Sequence, residues 1–402
     1  MDIKLLGSNI TWLSRYELVH NSLYQCFKEH KEELSGMDDK LQTSLEEVVG
    51  EKAAKTVYRL SSEEVKTRMK HLGVLIGQFL AFLKSSGSGE EQSYKVLQDV
   101  FEQQFEVTSD EQVITKDPKE LSAQSIQSPY DPDAHYRNKG DQQVKGYSAN
   151  VTESCDEDQL NLIAEVSVKE ASVSDTDFLK AGIEQAGEVF TQEPKAVHAD
   201  GAYHSPDNQE FCDKNMIDLH LHAIQGHQGR YTLKLNEEET DIVAIIDNET
   251  SKEVHFKAFI GKKGERKWRI KVNKNYRYFR LKDLQTAIIR KRVAETPKEI
   301  LRKRNNVEAT IFQLGYHCSG GKTKYKGLIK TQMWADMRCL WINFVRIKNH
   351  IIDPHGERAS KRHQNGEKGL SGCFLSAFSA LRGRFLSGFY KIKFNYYNVV
   401  IC

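Results

Sequence analysis

A carboxylate ends a short apolar run in the segment AVHADGAYHSPDN, which covers residues 196–208. Asp200 follows the run AVHA directly, and Gly201 comes next. If the run is a strand of an α/β sheet, Asp200 lies at the carboxyl end of that strand, where ligands and reacting groups gather. The pattern therefore indicates a catalytic or metal-binding acid. The alternative interpretation is an aspartate that caps the following turn.

Two further acids stand in settings that favour chemistry. Glu308 lies between Val307 and Ile311 in RKRNNVEATIFQL, a segment with helical spacing. A carboxylate on the inner side of a helix is costly unless it is paired or bound to a metal. The alternative is an ordinary ion pair with Arg304, four residues earlier. The third acid is Asp2, in the opening segment MDIKLLGSN.

Four blocks of sequence carry a family resemblance: DIKLLGSN, SPYDPDAHYRNKGDQQVKGYSANVTES, VHADGAYHSPDN and RNNVEATIFQL. Their order and approximate intervals resemble those of the DDE transposases of bacterial insertion sequences, over roughly residues 1–350. The resemblance implies an RNase H-like fold interrupted by insertions. It also implies that Asp2, Asp200 and Glu308 are the three catalytic acids and the metal ligands.

The chemistry implied by the resemblance is phosphodiester cleavage and strand transfer, which depends mostly on positioning and charge stabilisation. Two divalent ions about 3.5–4 Å apart serve such reactions, and hard carboxylate oxygens suit Mg²⁺, with Mn²⁺ as a possible substitute. Water and then a freed 3′-hydroxyl are the nucleophiles, so no protein nucleophile is needed. The partners would be DNA, as element ends and target, and further copies of the chain in an active homo-oligomer.

The sequence also departs from the family pattern. The resemblance leads us to expect a strand and a helical domain before Asp2, and Leu301 and Gly315 stand where related groups place Tyr and Lys. We therefore expect an N-terminally truncated copy in which Asp2 is poorly held and activity is impaired. Two other functions stay open: a DNA-binding remnant without catalysis, and an RNase H-like nuclease without strand transfer.

Charge is divided unequally along the chain. Residues 251–402 hold 34 Lys and Arg against 10 Asp and Glu, whereas residues 1–250 hold 24 against 46. Such an asymmetry is typical of a chain with a polyanionic partner, although two solvated faces that neutralise each other would give the same counts.

Basic residues near aromatic residues and near the acids are the candidate DNA contacts. For any single cation, a solvated charge is the alternative. The predicted DNA-binding residues are Arg137, Lys262, Lys263, Arg266, Lys267, Arg269, Lys271, Arg302, Arg304, Lys322 and Lys324.

The elements that must position these residues follow from periodicity. Helical spacing dominates to about Phe105, a polar loop follows, and a strand hairpin, a helix and two short strands come next. The order predicts a mixed α/β, RNase H-like sheet flanked by helices. The predicted units are a remnant of the first core strand (1–10), a helical insertion after the first acid (11–125), the core (126–227), a β-rich basic insertion before the last catalytic helix (228–282), C-terminal helices (283–351) and a tail of uncertain structure (352–402).

Several sequence features bear on the cellular location of the protein and on a possible metal site. The most apolar window, GVLIGQFLAFL, is too short to cross a bilayer, and no signal peptide is recognisable. Seven cysteines without a CxxC pair indicate reduced thiols. We therefore expect a protein of the bacterial cytoplasm, associated with the nucleoid. His220 and His222 alternate on a predicted strand, and a structural or solvent-facing pair is favoured over a metal site.

Overall fold

The computed structural model describes residues 1–156, 160–223, 229–261, 264–316, 318–352 and 400–401, and it contains both helices and strands. The helices are α1 (Arg15–Glu29), α2 (Asp39–Gly50), α3 (Ala53–Thr56), α4 (Ser62–Ser85), α5 (Gln92–Gln104), α6 (Leu179–Phe190), α7 (Pro206–Lys214), α8 (Leu281–Glu295), α9 (Lys298–Arg302), α10 (Asn305–Gly315) and α11 (Leu328–Ile352). The strands are β1 (Asp2–Gly7), β2 (Phe105–Val107), β3 (Val113–Thr115), β4 (His135–Lys139), β5 (Gln142–Glu153), β6 (Ile163–Glu170), β7 (Ala196–Ala199), β8 (Asp218–Leu221), β9 (Tyr231–Leu235), β10 (Ile242–Asp247), β11 (Lys252–Glu253), β12 (Phe256–Ile260), β13 (Arg266–Val272), β14 (Asn275–Phe279) and β15 (Val400–Ile401).

The central strand β5 organises a four-stranded antiparallel sheet. It pairs with β1, β4 and β6, and the register places Asp2 opposite Val151. A second, parallel sheet is formed by β7, which pairs with β8 on one edge and with β15 on the other. The predicted hairpin is therefore present as β5 and β6. The mixed α/β, RNase H-like fold class is confirmed.

Helices cover both faces of this sheet. Met1 and Ile3 pack with Ile183 of α6, whereas Leu6 and Val151 pack with the helices α10 and α11. Because side chains alternate along a strand, Asp2 shares the face of Leu6 and points toward α10. The alternation of side chains along β1 thus places the side chain of Asp2 on the face that α10 covers.

The helices α1 to α5 have a hydrophobic core of their own. Leu23, Leu45, Ile76 and Leu97 are fully buried there. Capping boxes at Ser14 and Ser61 start α1 and α4, because each side chain accepts a hydrogen bond from the third backbone amide of its helix. The prediction of a loop after Phe105 is partly wrong, because β2 and β3 form a short antiparallel hairpin there. The polar composition of the segment gave no sign of these strands, because each of them buries only one side chain, that of Phe105 or Val113.

Two small antiparallel sheets follow β8. One has the order β11-β10-β9 and the other the order β12-β13-β14. Trp268 is fully buried between them and α8, and its indole Nε1 donates to Asp241 at 2.9 Å. A buried Trp normally needs such a partner for its N–H. The β pattern expected for this stretch is present in its described residues.

The block DPDAHYR has a structural role. Asp131 is buried and accepts hydrogen bonds from the hydroxyls of Ser8 and Tyr147, so it joins the end of β1 to β5. Asp133 is exposed, and its Oδ2 accepts from the backbone N–H of Leu328 at 3.4 Å, at the start of α11. One turn therefore connects the first strand, the central strand and the last helix.

Thiols and helix lengths bear on the expected location. Cys26, Cys212, Cys318 and Cys339 are free thiols, as the sequence leads us to expect for these four positions. Within the described residues, none of the helices combines the length and the apolar character that crossing a membrane requires.

The two aspartates of the DPDAHYR block give a matched test of its role. Replacing Asp131 with Ala should lower the free energy of unfolding by about 2–4 kcal/mol, because two buried hydroxyl donors lose their acceptor. Replacing Asp133 with Ala should cost less than about 1 kcal/mol, as expected for a weak cap at a helix start. Urea denaturation of both variants measures the difference, and equal losses would contradict the assigned roles.

Candidate active site

Arg304 brings two of the three predicted acids together. Its Nη2 donates to Asp2 Oδ2 at 3.0 Å, and its Nη1 lies 2.8 Å from Glu308 Oε1. The side chains of Asp2 and Arg304 are 12% and 11% exposed, whereas that of Glu308 is 49% exposed. The expectation that Glu308 lies on the inner side of its helix is therefore wrong: Val307 takes the buried position next to it. The ion pair weighed as the alternative for Glu308 is present.

The first acid is firmly held. Asp2 Oδ1 accepts from the backbone N–H of Ile3 at 2.8 Å, and β1 pairs with β5 from Asp2 onward. The amino group of Met1 donates to the carbonyl of His198 in β7 at 2.6 Å. The prediction that Asp2 is poorly held is therefore wrong, because the strand that begins at this acid has its own partners in the sheet.

Asp200 follows β7, as the sequence predicts. Its Oδ1 accepts from the N–H of Gly201 at 2.7 Å, and it caps a single 3₁₀ turn over residues 201–203. The capping role and the position at the carboxyl end of β7 are both observed, so the geometry leaves both interpretations open. Because Met1 bonds to β7 two residues before Asp200, the first and second acids lie at the same edge of the sheet.

A buried polar network lies beneath this edge. The hydroxyl of Tyr203 donates to Asn150 Oδ1 at 2.6 Å, and Asn150 Nδ2 and Thr152 Oγ1 donate to Glu165 Oε2 at 3.2 and 3.1 Å. Burial, followed by the charges of Asp2 and other nearby acids including Asp200, raises the pKa of Tyr203 well above its usual value. Burial also raises the pKa of Glu165. Tyr203 therefore stays a neutral donor beside the acids.

A second buried cluster fixes the helices on the other face. Glu153 is fully buried, and its Oε2 accepts from Thr310 Oγ1 at 2.6 Å and from Arg346 Nη1 at 2.9 Å. Thr310 lies in α10 and Arg346 in α11, so one carboxylate at the end of β5 holds both helices. Sequence reasoning missed both clusters, and the only signal was the row of polar residues at inward positions of SANVTES.

The donor set suits a hard divalent cation, because all three side chains offer carboxylate oxygens. The guanidinium of Arg304 lies between Asp2 and Glu308 and forms an ion pair with each carboxylate. Among the described residues, however, the one triad with all ligand atoms within 4.8 Å of each other is His30, Glu33 and Glu91, in the helical segment. The carboxylate oxygens of Asp2, Asp200 and Glu308 therefore do not all lie within 4.8 Å of one another.

That helical triad is already satisfied without a metal. His30 is fully buried, and its Nδ1 lies 3.2 Å from Glu33 Oε2 while its Nε2 lies 3.2 Å from Ser93 Oγ and 3.6 Å from Glu91 Oε2. Both ring nitrogens thus have hydrogen-bonding partners, which fits a structural histidine.

The histidines of β7 and β8 stack on each other. The rings of His198 and His220 are 4.9 Å apart and nearly parallel, and His222 is exposed. Burial and, secondly, the charge of His220 lower the pKa of His198 to about 3. The pair is therefore neutral near pH 7, as a structural pair requires.

Some predicted DNA contacts are engaged within the protein. Arg137 pairs with the buried Asp175 at 2.5 Å and donates to Ser148. Lys322 Nζ donates to the carbonyl of Ile10 at 2.8 Å. These contacts favour structural roles for both cations.

Other predicted contacts lie on the basic sheet β12-β13-β14. The guanidinium of Arg269 is 4.8 Å from the Tyr276 ring centroid and 5.6 Å from that of Phe259, and Lys271 is exposed. Arg266 pairs with Asp241, and Lys267 pairs with Glu265. Arg302 and Lys324 are exposed, and Lys262 and Lys263 lie outside the described residues.

Comparison with known families found one match. A family model described as "Transposase DDE domain" matches residues 108–344, more than half of the chain. The matched range contains Asp200, Arg304 and Glu308, and Asp2 lies outside it. Searches of curated proteins and of solved structures found no match.

The bridging arginine can be tested by stability. Replacing Arg304 with Leu should lower the free energy of unfolding by about 2–4 kcal/mol, because the poorly exposed carboxylate of Asp2 loses its cation. Replacing Arg302 with Leu, on the exposed side of the same basic run, should change it by less than about 0.5 kcal/mol. Denaturant titration compares the two, and an unchanged Arg304→Leu variant would show that the bridge contributes nothing.

Proposed function

The chain belongs to the family of transposases with a DDE domain, and from that premise we propose that it cleaves DNA with a divalent metal ion and transfers the freed strand end to target DNA. The element it moves would be a bacterial insertion sequence. The observation that carries the proposal is the convergence of Asp2 and Glu308, which are far apart in the sequence, on Arg304 at the edge where Asp200 follows β7.

Asp2, Asp200 and Glu308 would hold the metal, and Mg²⁺ is the expected ion, with Mn²⁺ as a substitute. Bound metal would supply charge stabilisation for the attacking and leaving oxygens of the phosphodiester. The three acids come from β1, the end of β7 and α10, so the fold itself sets their spacing. The polar network of Tyr203, Asn150 and Glu165 would keep this edge of the sheet fixed.

The reaction needs no nucleophile from the protein. Water would first attack the phosphorus at the element end and release a 3′-hydroxyl. That hydroxyl would then attack a phosphodiester of the target, which forms one bond and breaks another without an external energy source. The role left to the chain is to bind, orient and neutralise charge, which is how most phosphoryl-transfer sites work.

The exposed face of β13 and β14 is the preferred DNA surface. Arg269 lies against two aromatic rings there, and Lys271, Tyr276 and Tyr278 are exposed. Such surfaces contact phosphates through the cations and stack on bases through the rings. Arg302, which is exposed close to Glu308, and Lys324 would add phosphate contacts. The active form would be a homo-oligomer on paired DNA ends, in the bacterial cytoplasm and associated with the nucleoid.

A DNA-binding protein without catalysis is the second candidate. The observation that favours it is Arg304 itself, whose guanidinium already compensates for two of the acids. If the protein binds DNA without catalysis, the basic sheet β12-β13-β14 would provide the affinity for DNA, and the three acids would have structural roles.

Replacement of Asp200 separates the two candidates. Asp200→Asn should lower DNA end cleavage and joining by at least about a thousandfold, comparable to the loss of a key charge-stabilising group. Asp207→Asn, an exposed aspartate in the next helix, should retain activity. A chelator should abolish cleavage and Mg²⁺ should restore it. If no preparation cleaves DNA and all bind it equally, the non-catalytic candidate is correct. If DNA is cleaved but no joined product forms with a target plasmid, the activity is that of a nuclease.

Salt dependence tests the basic sheet. The double replacement Arg269→Ala and Lys271→Ala should reduce the slope of log affinity against log salt concentration by up to about 1.8, because each lost phosphate contact removes about 0.9. Lys234→Ala, an exposed lysine of β9 in the neighbouring sheet, serves as control and should leave the slope unchanged. Fluorescence anisotropy with labelled duplex DNA measures the slope. Equal slopes in the three proteins would place the DNA elsewhere.

A further inference from the structure

Two cations approach the C-terminal end of α10. The side chain of Lys4 extends from β1 to Gly315, the last residue of this helix. In α11, Arg338 Nη2 donates to the carbonyl of Gln313 at 3.1 Å. Burial raises the pKa of the nearby Cys318 thiol, and the positive charges of Lys4 and Arg338 act against that rise. Both charges therefore act at the same place.

The glycine at the end of α10 makes room for the lysine. A Cβ atom added at Gly315 would lie 2.7 Å from Lys4 Cε and 3.0 Å from Lys4 Nζ. The lysine is half-buried, with its stem against the helix backbone. Lysine stems commonly pack in this way while the ammonium keeps contact with solvent. The positive charge of Lys4 therefore has a defined position beside the helix end.

Neither cation has a carboxylate partner within the described part of the chain. Lys4 forms no ion pair or hydrogen bond there, and Arg338 Nη2 donates to a carbonyl. Among the described atoms, Arg338 Nε is buried without a hydrogen-bonding partner. The C-terminal dipole of a helix offers about half a negative charge, so two full positive charges leave an excess of about 1.5. The end of α10 therefore attracts an anion.

The two cations lie on the side of the sheet that carries the proposed metal site. Lys4 is two residues after Asp2 in β1, so both side chains share one face of the strand. Gly315 follows Glu308 by seven residues in α10, which is about 10.5 Å along the helix. The phosphates of one DNA strand advance about 3.4 Å per nucleotide along the duplex axis, so about three nucleotides cover this distance.

We propose that Lys4 and Arg338 together bind one backbone phosphate of the DNA, about three nucleotides from the bond that is cleaved. This proposal rests on the proposed function, because it takes the cleaved bond to lie at the three acids. The lysine supplies a compact charge, and the one hydrogen bond of Arg338 leaves further N–H donors of its guanidinium for a phosphate oxygen. Such a contact carries no sequence information but sets the register of the strand at the site.

The salt dependence of DNA binding tests the proposal without catalysis. The double replacement Lys4→Met and Arg338→Met should reduce the slope of log affinity against log salt concentration by about 0.9, the amount of one phosphate contact. The control is the double replacement Lys40→Met and Lys70→Met, which removes two positive charges at exposed positions of α2 and α4 and should leave the slope unchanged. Fluorescence anisotropy with labelled duplex DNA in the presence of a chelator measures the slope.

Gly315→Ala is a second variant, and it keeps both charges. Alanine has a higher helix propensity than glycine, so urea denaturation should show no loss of stability. The new Cβ would displace the ammonium of Lys4, so the slope should fall between those of the double variant and the unmodified chain. An unchanged slope in both the double variant and Gly315→Ala would overturn the proposal. Equal reductions in the double variant and its control would also overturn it.

Three further results separate the phosphate contact from the proposed function. If the slope changes as expected but no preparation cleaves DNA, the contact is supported and the catalytic proposal fails. If the unmodified chain cleaves DNA and the double variant keeps its slope, the phosphate contact alone fails. Absence of DNA binding by the unmodified chain would overturn both. Stabilisation by inorganic phosphate that the double variant loses, with equal slopes on DNA, would overturn the assignment to DNA and identify a site for the free ion.

Discussion

A poorly exposed carboxylate needs a compensating cation, and at this sheet edge Arg304 supplies it. The guanidinium is a planar fork that can serve two carboxylates at once. Here it joins Asp2, at the first residue of β1, to Glu308, on the first turn of α10. The contact fixes the helix that carries the third acid against the strand that carries the first. The same side chain therefore contacts both acids and helps to set their relative position.

The strand β5 supports this arrangement because its polar side chains make hydrogen bonds on both of its faces. Asn150 and Thr152 serve the network below the acids, and Glu153 holds Thr310 and Arg346 on the side of α10 and α11. Buried polar groups are tolerated only where they are paired, and then they specify one packing arrangement. A purely apolar β5 would give the sheet a core but would not define where α10 begins.

The sequence predicted the features that depend on local pattern. The hairpin β5–β6 and the strand β7 with Asp200 at its end both follow from periodicity and turn residues. The family resemblance indicated which acids to consider. What it could not predict depends on tertiary contacts. Asp2 is held by its ion pair with Arg304 and by the pairing of β1 with β5. Arg137 forms an ion pair with Asp175, which lies on a different element.

The three predicted acids come from parts of the chain that differ in charge. Asp2 and Asp200 come from the acidic part of the chain, whereas Glu308 follows a run of three cations, residues 302–304. A phosphodiester approaching three carboxylates is repelled unless positive charge stands nearby. The run before Glu308 places that charge within about one helical turn of the acid. Under the proposed function, two of the three acids and the cations that attract DNA therefore come from different segments of the chain, and the folded sheet brings them together.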